Sequence, residues 1–242
     1  MKTDNFLFSK ILIEEFLNSP NYKKAQKLYI NQKNLNLPHV RKIIKLAKEK
    51  EIPTLVTNFS KFSNVLKGNS TPLILEISNF SYSSLEDIEK NKSSLDLILF
   101  VYKAKDPRNL GAIIRTSKAF DIKGIILTSK DSCPVNDTVI NTSRNSLLPI
   151  HRINNSLKII QYLKNKNYKT ILLDPRGEIT LYSLKKTEKT LLILGGEKGV
   201  SEEIKKHSQT ARIPIKNIES LNTSVALGIT LSYLYNLKYR GE

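Results

Sequence analysis

Cysteine and histidine are scarce in this 242-residue chain, which has one thiol, Cys133, and three scattered histidines at His39, His151 and His207. A single thiol closes no internal disulfide and anchors no cysteine metal cluster, so no metal site is expected. Long hydrophobic runs are also missing. The longest, Leu97 to Tyr102, falls far short of the ~20 apolar residues that span a bilayer, and Met1-Lys2-Thr3-Asp4 is not expected to open a signal peptide. The chain is therefore expected to be cytoplasmic, with no membrane partner. It carries no Gly-x-Gly-x-x-Gly after a strand and no Gly-x-x-x-x-Gly-Lys-Ser/Thr, which removes the dinucleotide fingerprint and the P-loop. Acidic residues are few, 22 against 39 lysines and arginines, for a formal charge of +17.

That excess of positive charge suits a polyanionic partner, because Lys and Arg that neutralise phosphates release counterions. Lysines nevertheless outnumber arginines 31 to 8, and asparagine and isoleucine are abundant, as a bias toward AT-rich codons would also produce. Charge alone leaves both readings open. At 40% hydrophobic and 25% charged, the composition is that of a globular protein of one large or two modest domains.

The polar, turn-forming stretch Ser78–Ser94 divides the chain. Residues 1–80 are expected to form one domain, 81–94 a linker and 95–242 a second domain. Through Lys92 the chain has 15 basic and 9 acidic residues, so this half is basic as well. Strands at 27–30, 53–56 and 72–77 alternate with helices at 38–49 and near 61–66, which implies a small α/β sandwich. In the helix Pro38–Glu49, Val40, Ile43, Ile44 and Ala47 share one face. Beyond residue 94, β-branched or leucine-rich runs predict strands at 95–102, 122–128, 169–173, 190–194 and 211–215. Their continuous apolar character is that of parallel strands buried on both faces. Helices are predicted at 110–120, 155–166, 201–208 and 223–239. No repeat or low-complexity segment is present.

Three segments begin where predicted strands end, the place at which open α/β sheets bind ligands. In Asp106–Phe120, DPRNLGAIIRTSKAF, Asn109 is placed to cap a helix. Arg115 follows almost two turns later, so both side chains are expected to face one cleft, although a capped amphipathic helix with Arg115 in a surface ion pair fits the same pattern. In Leu191–Val200, LLILGGEKGV, three glycines let the backbone approach a ligand with Glu197 among them, or simply join a strand to a helix. In Arg212–Leu234, the turn bearing Glu219, Ser220, Asn222, Thr223 and Ser224 offers more hydrogen-bonding groups than one helix cap requires. The helix after it is apolar around more than one stripe, which suggests burial on two sides, as in a dimer interface.

Together, in order and in spacing, these segments resemble the three motifs of the SpoU, or TrmH, family of RNA ribose 2′-O-methyltransferases of the SPOUT class. The resemblance covers roughly residues 95–239. The first half is similar, through phrases such as KLYI and EIPTLV, to the ribosomal-protein-like substrate-binding domain that some members carry. The chain departs from the family at Asp121, where a glycine is common.

The resemblance implies an α/β fold whose C-terminal parallel-sheet domain is threaded into a trefoil knot, preceded by the small α/β sandwich. It implies S-adenosylmethionine as cofactor, with Gly195, Ile213 and Leu221 at cofactor-touching positions. Asn109, Arg115, Glu197, Ser220 and Asn222 match the polar catalytic set. The implied activity is methyl transfer to a ribose 2′-hydroxyl in RNA, with ribosomal RNA preferred to transfer RNA and a homodimer formed through the C-terminal helix. A non-catalytic RNA-binding or ribosome-assembly protein on the same fold is the competing reading.

Overall fold

The computed structural model describes residues 6–66, 70–78, 80–144, 146, 148–196 and 199–239. The chain divides into two compact units, residues 1–81 with 135–145, and residues 82–134 with 146–242.

In the first unit β1 (Phe6–Leu7), α1 (Lys10–Asn18), β2 (Ala25–Asn31), α2 (Pro38–Glu49), β3 (Thr54–Thr57), α3 (Ser63–Leu66) and β4 (Leu73–Ile77) follow one another. The sheet has the order β1-β4-β2-β3, with β2 and β3 parallel and the other pairs antiparallel. Pro38 occupies the first turn of α2, where its missing N–H costs nothing. Val40, Ile43 and Ala47 are buried at the expected helical spacing. Aromatic rings fill one layer, with Phe62 edge-on to both Tyr29 and Phe59 at centroid separations of 4.9 and 5.4 Å.

The stretch read as a linker is instead ordered. Within it α4 (Leu85–Lys90) starts with a reciprocal cap, Ser84 accepting from the Asp87 N–H while Asp87 accepts from the Ser84 N–H. Ile88 is buried in the core of the second unit. Two apolar residues, Leu85 and Ile88, among charged neighbours are too few to set a period, which is why the segment reads as loop.

The second unit continues with β5 (Leu95–Val101), α5 (Pro107–Ala119) and β6 (Ile122–Thr128). The chain then enters α6 (Asp137–Thr142), which belongs to the first unit and packs against β1. It returns through β7 (Ile150–Ile153), α7 (Ser156–Asn165), β8 (Lys169–Leu173), β9 (Ile179–Thr180), β10 (Thr190–Leu194), α8 (Glu202–Lys206), β11 (Gln209–Arg212) and α9 (Thr223–Tyr239). Among the described residues the sheet order is β7-β6-β5-β10-β8-β11-β9, every pairing parallel. The central strands β5 and β10 hold only apolar, fully buried residues over Leu97–Val101 and Leu191–Leu194, as covered parallel strands must.

Sequence reading missed α1, α6, β1, β7 and β9. It also placed the last strand at 211–215, whereas β11 ends at Arg212, and Ile213 and Ile215 lie beyond the sheet and line a cavity. Asp121, the position where a glycine is common in the resembled family, has φ of 47°. The turn from α5 into β6 therefore uses the left-handed conformation that glycine adopts without cost.

Candidate active site

Because β8, β10 and β11 run parallel, their C-terminal ends open on one edge, and the chain leaving each strand supplies a wall. Leu173 ends β8 and Asp174 and Pro175 follow it, Gly195 and Gly196 follow β10, and Ile213 and Ile215 follow β11. Ser220, Leu221, Asn222 and Thr223 lead into α9, and Asn109 projects from the first turn of α5. They enclose a cavity of about 500 Å³, within the range of small-molecule sites.

The glycine wall disfavours side chains, by backbone conformation at Gly199 and by close contact at Gly195 and Gly196. Gly199 has φ of +70° and donates its N–H to the Gly196 carbonyl at 2.8 Å. A Cβ on Gly196 would stand 2.6 Å from the Lys103 carbonyl oxygen, and one on Gly195 would stand 3.0 Å from the Gly199 Cα. The result is a backbone cradle for a ligand. Asp174 supplies the one charged side chain on the wall among the described residues. It receives the Arg176 N–H at 2.8 Å and pairs with Lys205 at 3.6 Å.

The polar end of the cavity is set by helix capping. Asp106, and not Asn109, caps α5, accepting the Arg108 N–H at 2.8 Å. That leaves the Asn109 carboxamide free to accept from Asn222 Nδ2 at 3.1 Å. Asn222 in turn caps α9: its Oδ1 accepts from the Ser224 N–H at 2.9 Å and the Ser224 hydroxyl at 2.7 Å, and its carbonyl takes the Ala226 N–H.

Of the residues singled out from sequence, Asn109, Gly195, Ile213, Ser220, Leu221 and Asn222 line this cavity. Arg115 does not; it is exposed on α5. Six residues at about 100° each carry it about 120° around the helix from Asn109, so a shared cleft does not follow from the spacing. Glu197 lies outside the described residues. Sequence reasoning missed the β8 wall. A signal existed: Asp174-Pro175-Arg176 repeats, after β8, the Asp106-Pro107-Arg108 that follows β5.

Beyond the glycine turn lies a second hollow of about 380 Å³, bordered by Tyr102, Lys103, Lys105, Asp131 and Ser201, with Gly196, Gly199 and Val200 shared between the two. Lys103 has φ of 56°, and its Nζ lies 3.3 Å from Asp131. The hydrogen bond to that carboxylate holds the ammonium above the ordinary lysine value.

The C-terminal helix buries Leu227, Thr230, Leu231 and Leu234 on one stripe. Phe120 of the α5 C-cap meets Tyr235 edge-on at 6.0 Å. Val225, Tyr235 and Tyr239 remain exposed.

Comparison with known proteins gives one family. The model of the SpoU rRNA Methylase family matches residues 96–232. An uncharacterized tRNA/rRNA methyltransferase of Archaeoglobus fulgidus is 30% identical over 208 residues, covering 84% of this chain and 88% of that protein. The 23S rRNA (guanosine-2′-O-)-methyltransferase RlmB of Xylella fastidiosa is 33% identical over 152 residues, 61% of each chain. Among solved structures, the SpoU methyltransferase AviRb of Streptomyces viridochromogenes, in complex with AdoMet, superposes with a TM-score of 0.77 at 18% identity, covering 98% of this chain and 91% of that one.

Proposed function

This chain belongs to the SpoU rRNA Methylase family, and from that premise we propose that it methylates a ribose 2′-hydroxyl of RNA, ribosomal RNA ahead of transfer RNA. The observation that carries the reading is convergence: six residues from three separated motifs line a single cavity. S-adenosylmethionine is the methyl donor. When bound, it supplies a methyl group already activated on a sulfonium.

The residues suit that cofactor. A glycine cradle presents backbone groups, aliphatic Leu173, Ile213, Ile215 and Leu221 offer flat apolar walls, and no lysine or arginine lines the cavity among the described residues to repel a sulfonium. The chain's own contribution is to position the acceptor, and alignment of this kind supplies up to roughly 7 to 11 kcal/mol. Asn109, Ser220 and Asn222 offer donors and acceptors to a ribose or its phosphate at the cavity's polar end. Arg115 is assigned to the acceptor hydroxyl or the neighbouring phosphate. A guanidinium resists deprotonation, so its role is to orient and to neutralise.

The reading includes a homodimer through α9. One stripe of this helix is buried in its own unit, while Val225 and the hollow bounded by Gly228, Ile229, Ser232 and Asn236 are uncovered. Because α5 packs on α9, such a dimer would carry Arg115 toward a second copy. The reading also includes the trefoil knot, supported by β10 inserting between β5 and β8 and by the return of α9 to α5.

The decisive experiment maps 2′-O-methylation across the RNA of a strain lacking this protein, with calorimetry of S-adenosylmethionine on the purified chain. A missing ribosomal methyl group restored by the gene supports the reading. An intact methylation map together with no cofactor binding would refute it, and a missing transfer RNA methyl group would redirect the substrate.

A further inference from the structure

The second hollow has no role in cofactor binding as proposed, yet among the described residues it shares Gly196, Gly199 and Val200 with the cofactor cavity. We propose that it is a phosphate site for the RNA strand, in which Lys103 and Lys105 hold a phosphodiester beside the methylated ribose. This rests on the reading of the first cavity as the methyl-donor site.

The two cavities share Gly196, Gly199 and Val200, so a strand whose ribose reaches the donor passes along the rim where the lysines stand. The 2′-oxygen and the 3′-phosphate of one nucleotide are neighbours on the same ribose, so a donor site implies an anion site close to it. The first cavity has no cationic side chain among its described lining, whereas the second has two. Lys105 is exposed and has no ion pair among the described residues.

The loop bearing these lysines is fixed from behind. The Lys103 N–H donates to Thr128 Oγ1 at 3.0 Å, Thr128 Oγ1 and Ser132 Oγ lie 2.8 Å apart, and Ser132 Oγ accepts the Ala104 N–H at 3.1 Å. Three side-chain contacts thus maintain Lys103 in a left-handed conformation that a lysine seldom adopts. Asp131 stands 3.3 Å from the Lys103 ammonium. It orients that group and also competes with an incoming phosphate, so removing its charge should strengthen anion binding. A structural ion pair alone would predict no gain beyond that of neutralising a carboxylate elsewhere on the surface.

The test uses the full-length protein, calorimetry with S-adenosylmethionine, and binding of a short single-stranded oligouridylate over a salt series. The double substitution K103Q/K105Q is expected to leave cofactor affinity within about twofold, to weaken RNA binding about tenfold or more, and to flatten the slope of log K against log salt by about 0.7, the share of the one phosphate the two lysines hold. Asp131→Asn is expected to tighten RNA binding and steepen the slope. K158Q/K164Q, with the same charge loss on α7, serves as the control and should change little.

A K103Q/K105Q effect no larger than that control, or a loss of cofactor affinity in place of RNA affinity, would overturn the phosphate site. Weaker RNA binding by Asp131→Asn would do the same. If the wild-type chain bound no S-adenosylmethionine, the reading of the first cavity would fail by itself, and the salt series would still decide what the lysines bind.

Discussion

Asn222 and Asn109, 113 residues apart in the chain, are joined by one hydrogen bond of 3.1 Å from Nδ2 to Oδ1. The contact ties the cap of α9 to the first turn of α5 and so sets the width of the cavity's polar end. Asn109→Ala removes one neutral hydrogen bond and should cost about 1 kcal/mol. Asn222→Ala also uncaps α9 and should cost about 1 to 2 kcal/mol. Urea denaturation of both single variants and the double variant should be non-additive, with a coupling of at least about 0.5 kcal/mol. Strict additivity would mean that the bond contributes nothing in solution.

Arg115 stands apart from that pair, exposed on α5. Arg115→Ala should bind S-adenosylmethionine normally and lose methyl transfer by about a hundredfold or more, the scale at which removal of one charge-positioning group acts. If the arginine serves a second copy, mixing Arg115→Ala chains with Asn222→Ala chains should recover part of the activity, since one site in each mixed dimer is intact. No recovery, with mixed dimers demonstrated by mass, would place Arg115 in its own chain's reaction.

Gly196 faces backbone on the side where a side chain would grow, 2.6 Å from the Lys103 carbonyl oxygen and 3.0 Å from that of Tyr102. Neither neighbour is a flexible side-chain end that can turn away. Gly196→Ala should therefore lower stability by about 1 to 3 kcal/mol, the usual cost of overpacking, and should weaken cofactor binding as the turn shifts. Unchanged melting temperature and affinity would show that the wall yields more easily than its geometry implies.

Much of the second sheet was legible because its central strands carry runs of aliphatic residues: the expected spans 122–128, 169–173 and 190–194 coincide with β6, β8 and β10. The strands that escaped notice are edge elements. β7 is Ile-His-Arg-Ile and β9 has two residues, too short to show a period. Similarly α6, Asp-Thr-Val-Ile-Asn-Thr, is built of weak helix formers and stands on its Asn136 cap and on burial of Val139 and Ile140. The site was legible where its residues sit in motifs. Asp174 was not picked out: the repeated Asp-Pro-Arg marks the segment, but its place in the cavity depends on β8 lying beside β10, a fact of topology that the triplet alone does not carry.

Asp121 holds the start of the second unit's sheet through its carboxylate, which accepts both the Ser94 N–H and the Ser94 hydroxyl at 2.7 Å. The Ser94 side-chain bond, followed by the backbone bond, depresses its pKa below the ordinary 3.8. A depressed folded value means that the native state binds the proton less readily than the unfolded chain. The resulting stability is fully present above about pH 4 and is lost as the pH falls through the folded value. Ser94→Ala should reduce stability at neutral pH and flatten its decline as the pH falls below about 4. A variant whose acid limb matched the wild type would show that the pair does not titrate with folding.

Excision of the first unit tests whether its charge captures RNA, and the structure dictates how the cut is made. Residues 135–145 belong to that unit although they lie within the sequence of the other, with Val139 and Ile140 buried in it. Removing residues 1–81 alone should strand these apolar side chains and yield an unstable, aggregating chain. Removing 1–81 and replacing 135–145 with a short Gly-Ser link should leave a folded unit that still binds S-adenosylmethionine, since every described residue lining the cavity falls within 82–134 or 146–242. That product should methylate RNA poorly at physiological ionic strength, and its RNA affinity should fall less steeply with salt, because phosphate contacts have been lost. Full RNA affinity with an unchanged salt slope would make the lysines of the first unit ordinary solvated surface.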